Sequence, residues 1–168
     1  GGVRLGLDDG TTVDAELGVA AVGLQPRIQL ASDAGLETNR GIRVNQQLET
    51  SEPGIYALGD CAEVCGHVLP YVMPLMAAAR ALAKTLTGTP TPVHYGSMPV
   101  TVKTPACPVA VCPPASDVEG EWAVSRDGNS VRALFRGADS QLLGFAVTGD
   151  YASEKQSLSK EVPAILPA

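Results

Sequence analysis

The chain has 168 residues, 45% of them hydrophobic, and its 12 basic and 18 acidic side chains give a formal net charge of −6. That apolar content can bury the core of one domain or two small ones. The acidic balance argues against nucleic acid or an anionic membrane as the main partner, because both need a basic surface.

In chain order, Val3, Leu5 and Leu7 alternate, Asp8-Asp9-Gly10 is a turn, and Val13, Ala15 and Leu17 alternate again, which predicts a β-hairpin. There is no initiator Met and the hairpin is already under way, so the chain is expected to be a piece of a longer one. Residues 19–22, Val-Ala-Ala-Val, run apolar without alternation and predict a strand covered on both faces. Gly23 and Pro26 end it, at what is expected to be the exit edge of a parallel sheet. A short helical piece is expected around residues 28–34 and an extended segment at 41–44. Glu52-Pro53-Gly54 is a turn, followed by an apolar strand at 55–58, closed by Gly59-Asp60, and a loop to Tyr71.

Residues 74–86 predict a helix, with Pro74 in the first turn and Gly88 as its stop. The threonines and prolines of 87–92 have the composition of a linker, so a domain boundary is placed near Tyr95. Beyond it, residues 99–103, 109–112, 121–125, 131–136 and 142–148 are short strand candidates separated by turn signals, and 151–162 a polar-faced terminal helix. No apolar run spans a bilayer and the start has no signal pattern, so the cytoplasm is the expected compartment. Four cysteines, Cys61, Cys65, Cys107 and Cys112, are too few for a disulfide scaffold and lack the spacing of a familiar zinc site even with His67 nearby. Reduced thiols and no metal are expected.

Chemistry centres on TSEPGIYALGDCAE, residues 50–63. An aspartate is a poor strand residue, but a carboxylate at the C-terminal end of a strand in an α/β sheet lies where ligands bind. Asp60 can accept hydrogen bonds from sugar or ribityl hydroxyls, and Gly59 lets a ligand approach the main chain. The helix that follows would place its N–H groups and positive dipole end near residues 71–75, suited to negative charge on a reduced flavin. The other reading of Asp60 is a loop aspartate that caps a turn.

These residues resemble the pyridine nucleotide-linked FAD oxidoreductases. TSEPGIYALGDCAE is similar to their second flavin-binding motif, and AVGLQP, residues 21–26, to the motif by which their NAD domain exits, with Val22 where the family has threonine. PVTVKTPACPV, LLGFAVTGD and the terminal SEKQSLSKEVPAILP resemble the tail of the rubredoxin-NAD reductase subgroup. The resemblance implies an aspartate on the FAD ribityl chain, which is Asp60. It also implies a backbone contact at Val72 and a lysine near the isoalloxazine, which is Lys103; Met73, Pro74 and Leu75 join the candidates through the helix start. Gly23 and Pro26 would lie beside the nucleotide. The family's Gly-x-Gly-x-x-Gly cradles are absent from the chain, so it is expected to be inactive alone.

The expected fold class is α/β, a partial three-layer FAD/NAD(P)-binding fold followed by a small α+β C-terminal domain. Residues 1–26 would end the NAD(P)-binding domain, 27–95 form the returning half of the FAD domain and 96–168 the C-terminal domain. The expected function is the C-terminal portion of an FAD-dependent NAD(P)H oxidoreductase passing electrons to rubredoxin or a similar small iron-sulfur carrier. Ferredoxin, a nitrite-reducing partner, or a non-catalytic binding module are the alternatives. No side chain of the chain is assigned a catalytic role, since the flavin carries the chemistry. Arg126, Arg132 and Arg136 are candidates for a basic docking patch, Trp122 for a core or interface anchor, and the Cys107 and Cys112 pair for structural thiols.

Overall fold

The computed structural model describes residues 2–102 and 104–167, so Lys103 lies outside the described residues. The chain opens with the expected hairpin, β1 (Val3–Gly6) antiparallel to β2 (Thr12–Ala15). Gly10 takes φ +83°, which its turn position favours, and donates to Leu7 C=O at 3.0 Å. Asp9 caps the same turn, accepting from Thr11 Oγ1 at 2.7 Å and Thr11 N–H at 2.9 Å, and these bonds hold its carboxyl below the usual range.

The strand expected at 19–22 does not form. Val19 is 82% and Val22 94% exposed, and no described strand pairs with them. An apolar run becomes a strand only where a neighbour supplies a ladder and cover, and neither is supplied here. The exit edge of a parallel sheet is therefore also absent among the described residues, although Gly23 keeps φ +87°.

After α1 (Gln29–Asp33), the first core is built by β3 (Ile42–Val44), β4 (Ala62–Val64) and α2 (Val72–Leu86). Leu48, Val44, Val64, Ala78, Leu82, Val93 and Tyr95 are its buried centre. The regular strand lies at β4, not at 55–58 as expected. Residues 55–58 make one bridge, Tyr56 to Glu49, and Ala57 N–H bonds Leu48 C=O at 3.0 Å, whereas β4 runs parallel to β3 with Ile42 opposite Ala62.

A carboxylate hid β4 in the sequence. Glu63 is 5% exposed and its charge is satisfied internally by Asn39 Nδ2 and Gly41 N–H, both at 3.0 Å. Burial pushes this carboxyl up. The bonds from Asn39, Gly41 and Arg40, with the charge of Arg43, outweigh burial and hold it below its ordinary range. Gly41 is required by space, since a Cβ there would sit 2.8 Å from Glu63 N.

The helix α2 starts two residues before the expected position, with extended Tyr71 as its N-cap and Pro74 third. Proline fits there because the first-turn N–H groups have no intrahelical acceptor. Buried Ala78 and Ala81 present little bulk to the core, and Gly88 at φ +93° follows the C-cap Thr87.

After the connection at 87–92 come β5 (Val100–Val102), β6 (Val109–Cys112), β7 (Glu121–Asp127), β8 (Ser130–Arg136) and β9 (Leu142–Thr148). They form one antiparallel sheet in the order β5-β6-β9-β8-β7. All five expected strands are present. The terminal helix is split into a 3-10 segment, Gly149–Glu154, and α3 (Lys155–Glu161). Leu158 of α3 covers the sheet face carrying Cys112, Leu134, Phe145 and Val147. By register the other face carries Val100, Val102, Val124 and Trp122, all more than 40% exposed. Leu166 crosses back and is buried beside Val93 and Tyr95 in the first core.

The Glu63 contacts set a pH dependence. A carboxyl held low in the folded state stabilises it above the unfolded pKa, and that contribution is lost as pH falls through the folded value. Glu63→Gln is expected to cost about 1–3 kcal/mol at neutral pH, the scale of a charged hydrogen bond. Urea unfolding from pH 7 downward should show the gap between the two proteins closing below the ordinary carboxylate range; a gap independent of pH would contradict this account.

Candidate cofactor site

The Gly59-Asp60 pair sits in the turn that leads into β4, with Ala62 N–H donating to Gly59 C=O at 3.0 Å. Asp60 therefore precedes a strand where it was expected to end one, although its neighbourhood is the expected one. Gly59 has φ +84° and lies against the first turn of α2, since a Cβ would be 3.2 Å from Leu75 Cδ1. Turn and helix start are in contact.

A cleft of about 440 Å³ opens here, lined by Pro26, Arg27, Gly59, Asp60, Cys61 and Leu75 among others. Four of the expected residues, Pro26, Gly59, Asp60 and Leu75, are thus brought together from segments far apart in sequence. Gly23 lies next to the lining residue Leu24 but does not itself line the cleft. Asp60 is exposed, so its carboxylate is open to a ligand hydroxyl. Arg27 was passed over in the sequence, and its only signal there was its place directly after Pro26. It brings a guanidinium, a donor for oxyanions, to the same cleft as the carboxylate.

Val72 and Met73 have side chains 70% and 53% exposed and do not line the cleft. What they can offer a ligand is main-chain. Tyr71 N–H bonds Leu69 C=O at 2.9 Å, Pro74 has no N–H, and the Tyr71 side chain makes no capping bond. The helix start therefore presents the Val72 and Met73 N–H groups without an intrahelical acceptor, and its first turn has no acidic residue. Pro74 itself is buried, lining a small crevice with Gly59, Ala62 and Tyr95.

A second, apolar cleft of about 430 Å³ lies where the two cores meet, walled by Tyr71, Met98, Cys112, Leu143 and residues 162–165. Burial pushes the Tyr71 and Tyr95 hydroxyls up, with smaller contributions from neighbouring thiols, and burial does the same to the Cys112 thiol. These groups are neutral at pH 7. Cys107 and Cys112 are free thiols, Cys112 ending β6 and Cys107 lying two residues before it.

The expected basic patch does not assemble. Adjacent register pairs put Arg132 on the α3 side of the sheet and Arg126 on the other. Arg132 is held by Glu154 at 2.6 Å, and Arg136 donates to Ser140 C=O at 2.7 Å. Arg126 sits opposite Val131, and Val131 and Arg132, adjacent on β8, face opposite ways. Trp122 is 46% exposed and packs edge-on against Phe135 with ring centroids 5.3 Å apart, so it is no core residue.

Comparison with known proteins adds the following. Residues 2–94 match the family model "Pyridine nucleotide-disulphide oxidoreductase" and residues 92–162 match "Rubredoxin binding C-terminal domain". The chain is 61% identical over 161 residues to the rubredoxin-NAD(+) reductase of Alcanivorax borkumensis, covering 96% of this chain and 42% of that one. It is 48% identical to the rubredoxin-NAD(+) reductase of Acinetobacter baylyi, over the same shares of each chain. Among solved structures, the ferredoxin reductase for the CYP199A2 system of Rhodopseudomonas palustris superposes with TM-score 0.78 at 27% identity, over 98% of this chain and 42% of that one. The chain thus spans less than half the length of the curated relatives it matches.

The contact between turn and helix yields a stability test. A side chain at φ near +80° costs roughly 1–2 kcal/mol, so Gly54→Ala, at φ +81° in open space, should lose that alone. Gly59→Ala, which also meets Leu75 Cδ1, should lose more, and the excess should vanish when Leu75→Ala is added. Equal losses for Gly54→Ala and Gly59→Ala in urea unfolding would separate the turn from the helix.

Proposed function

This chain belongs to the pyridine nucleotide-disulphide oxidoreductase family, and we propose that it works as the C-terminal portion of an FAD-dependent NAD(P)H oxidoreductase whose electrons go to rubredoxin. The observation that carries the reading is the cleft in which Pro26, Gly59, Asp60 and Leu75 meet beside an uncapped helix start. The donor set suits FAD: an open carboxylate for ribityl hydroxyls, a glycine that clears the main chain, and two free N–H groups with a helix dipole for negative charge. FAD, when bound, supplies hydride acceptance from NAD(P)H and release of single electrons. Asp60 orients it, and Gly59 and Leu75 shape the wall. The Val72 and Met73 N–H groups stabilise negative charge, while Arg27 adds a cation at the cleft. Lys103 would add a second cation from the C-terminal unit.

In this reading residues 1–26 end the NAD(P) domain, 27–95 return to the FAD domain, and 96–168 form the unit that meets the acceptor. No helix of the described residues is long and apolar enough to cross a membrane, and the cytoplasm is the proposed compartment. Rubredoxin is favoured as acceptor by the match of residues 92–162 to a rubredoxin-binding domain. A ferredoxin is the second reading, suggested by the 27% identical neighbour whose name is ferredoxin reductase.

The test is a chimera in which the part of the A. borkumensis reductase that precedes the matched segment is joined to Gly1. It should purify yellow and reduce rubredoxin with NADH faster than it reduces ferredoxin in stopped-flow reoxidation. Asp60→Ala removes one or two hydrogen bonds made by a charged group and should weaken flavin retention by roughly 10- to 100-fold. A colourless chimera would favour a non-catalytic binding module, and undiminished flavin in Asp60→Ala would remove Asp60 from the site.

A further inference from the structure

After α3, residues 163–167 return to the first unit. Leu166 and Tyr95 form an antiparallel bridge with both bonds made, Tyr95 N–H to Leu166 C=O at 2.9 Å and Leu166 N–H to Tyr95 C=O at 3.0 Å. Gln46 Nε2 donates to Pro167 C=O at 2.9 Å. The Leu166 side chain is 9% exposed and packed in the α2 core. At the other end, Leu158 anchors α3 to the sheet, and Ser97 Oγ donates to Ser159 C=O. The segment is thus tied to both units.

Its position matters because no sheet ladder joins them. Among the described residues no strand of the first unit pairs with a strand of the sheet unit. Pro163, Ala164 and Ile165 wall the apolar cleft at the junction, with Tyr71, the N-cap of α2, also lining it. Pro163 and Pro167 restrict the segment before it docks, which lowers the entropy lost on docking.

We propose that residues 163–167 are a strap that sets the position of the C-terminal sheet relative to the start of α2, with Leu166 and Tyr95 as its clasp. For electron delivery, which rests on the function proposed above, the strap is a positioning element. It fixes how far the acceptor-binding unit stands from the helix start that faces the flavin. The cleft residues that would hold the flavin do not depend on it, because Asp60, Gly59 and Leu75 all belong to the first unit, and only the Lys103 contribution comes from the sheet unit.

Two measurements test the strap. In the 168-residue chain, Leu166→Asp should speed hydrogen exchange at the Tyr95 amide at least tenfold and enlarge the radius of gyration, while Leu134 and Phe145 in the sheet keep their protection. Unchanged exchange at Tyr95, or protection lost uniformly over the sheet, would overturn the strap. Leu166→Met, which keeps the apolar contact, should behave as the parent; if it too opens the junction, the clasp is not the contact described. In the chimera, Leu166→Asp should leave flavin reduction by NADH within twofold and lower rubredoxin reduction at least tenfold. A purely structural loss would lower both and refute the positioning role. A colourless parent chimera would defeat the proposed function, while the exchange measurement would still decide the strap.

Discussion

The Glu63 carboxylate is the tie on which the first unit depends. It is buried, and its two bonds to Asn39 and Gly41 clamp the approach to β3 onto β4. A buried carboxylate left without partners costs several kcal/mol, so the residues around 39–41 have little freedom once β4 is in place. Asp60 lies two residues before β4, and Ile42 N–H closes the same corner on Cys61 C=O at 2.7 Å. The carboxylate that would meet a ligand is thus positioned by one that meets none. One is satisfied inside the protein and the other is left open, and that division follows from burial alone.

The start of α2 shows the opposite arrangement. A side-chain cap stabilises a helix by about 1 kcal/mol, yet Tyr71 supplies none and the first turn carries no acidic side chain. Pro74 removes one orphan donor at no cost to the helix, and the remaining donors at Val72 and Met73 stay free. A helix that forgoes its cap beside an exposed aspartate and an arginine-lined cleft has its stability supplied elsewhere, by Ala78, Ala81 and Leu82 in the core. The unfilled hydrogen bonds then remain for a negatively charged ligand.

How much of this was readable in the sequence depended on how local each signal is. The five strands after residue 99 were found because antiparallel hairpins announce themselves by alternation and turn residues; β6 and β9 fall on the expected residues end to end. Parallel pairing gives no such signal. Between 55–58 and 62–64 the apolar run was preferred, whereas the ladder chose Ala-Glu-Val because the partner of Glu63 lies 22 residues upstream at Gly41. The run at 19–22 had strand composition without a strand to pair with. Asp60 is singled out by the fourteen residues around it and does line the cleft, whereas the place of Arg27 there comes only from folding. The three arginines of β7 and β8 were grouped by proximity in sequence, and register put two of them on opposite faces.

The linker-like composition of 87–92 placed a boundary near Tyr95, and the return of Leu166 shows why sequence boundary and spatial boundary differ here. Closing a loop from Tyr95 to Leu166 in an open chain would cost roughly 4 kcal/mol or more by the logarithmic rule. Folding of the sheet and α3 has already brought Ser97 to Ser159, so most of that cost is met before the strap docks. What remains is the ordering of five residues, roughly 5–10 kcal/mol before the reduction due to two prolines. Against it stand the burial of Leu166, about 2–3 kcal/mol, part of that for Ile165, and three hydrogen bonds at about 1 kcal/mol each. The two sides agree within a few kcal/mol, so the closed strap rests on a balance of nearly equal terms. A single apolar contact is comparable with that difference, which makes the junction between the units responsive to one side chain in a way that the sheet behind it is not.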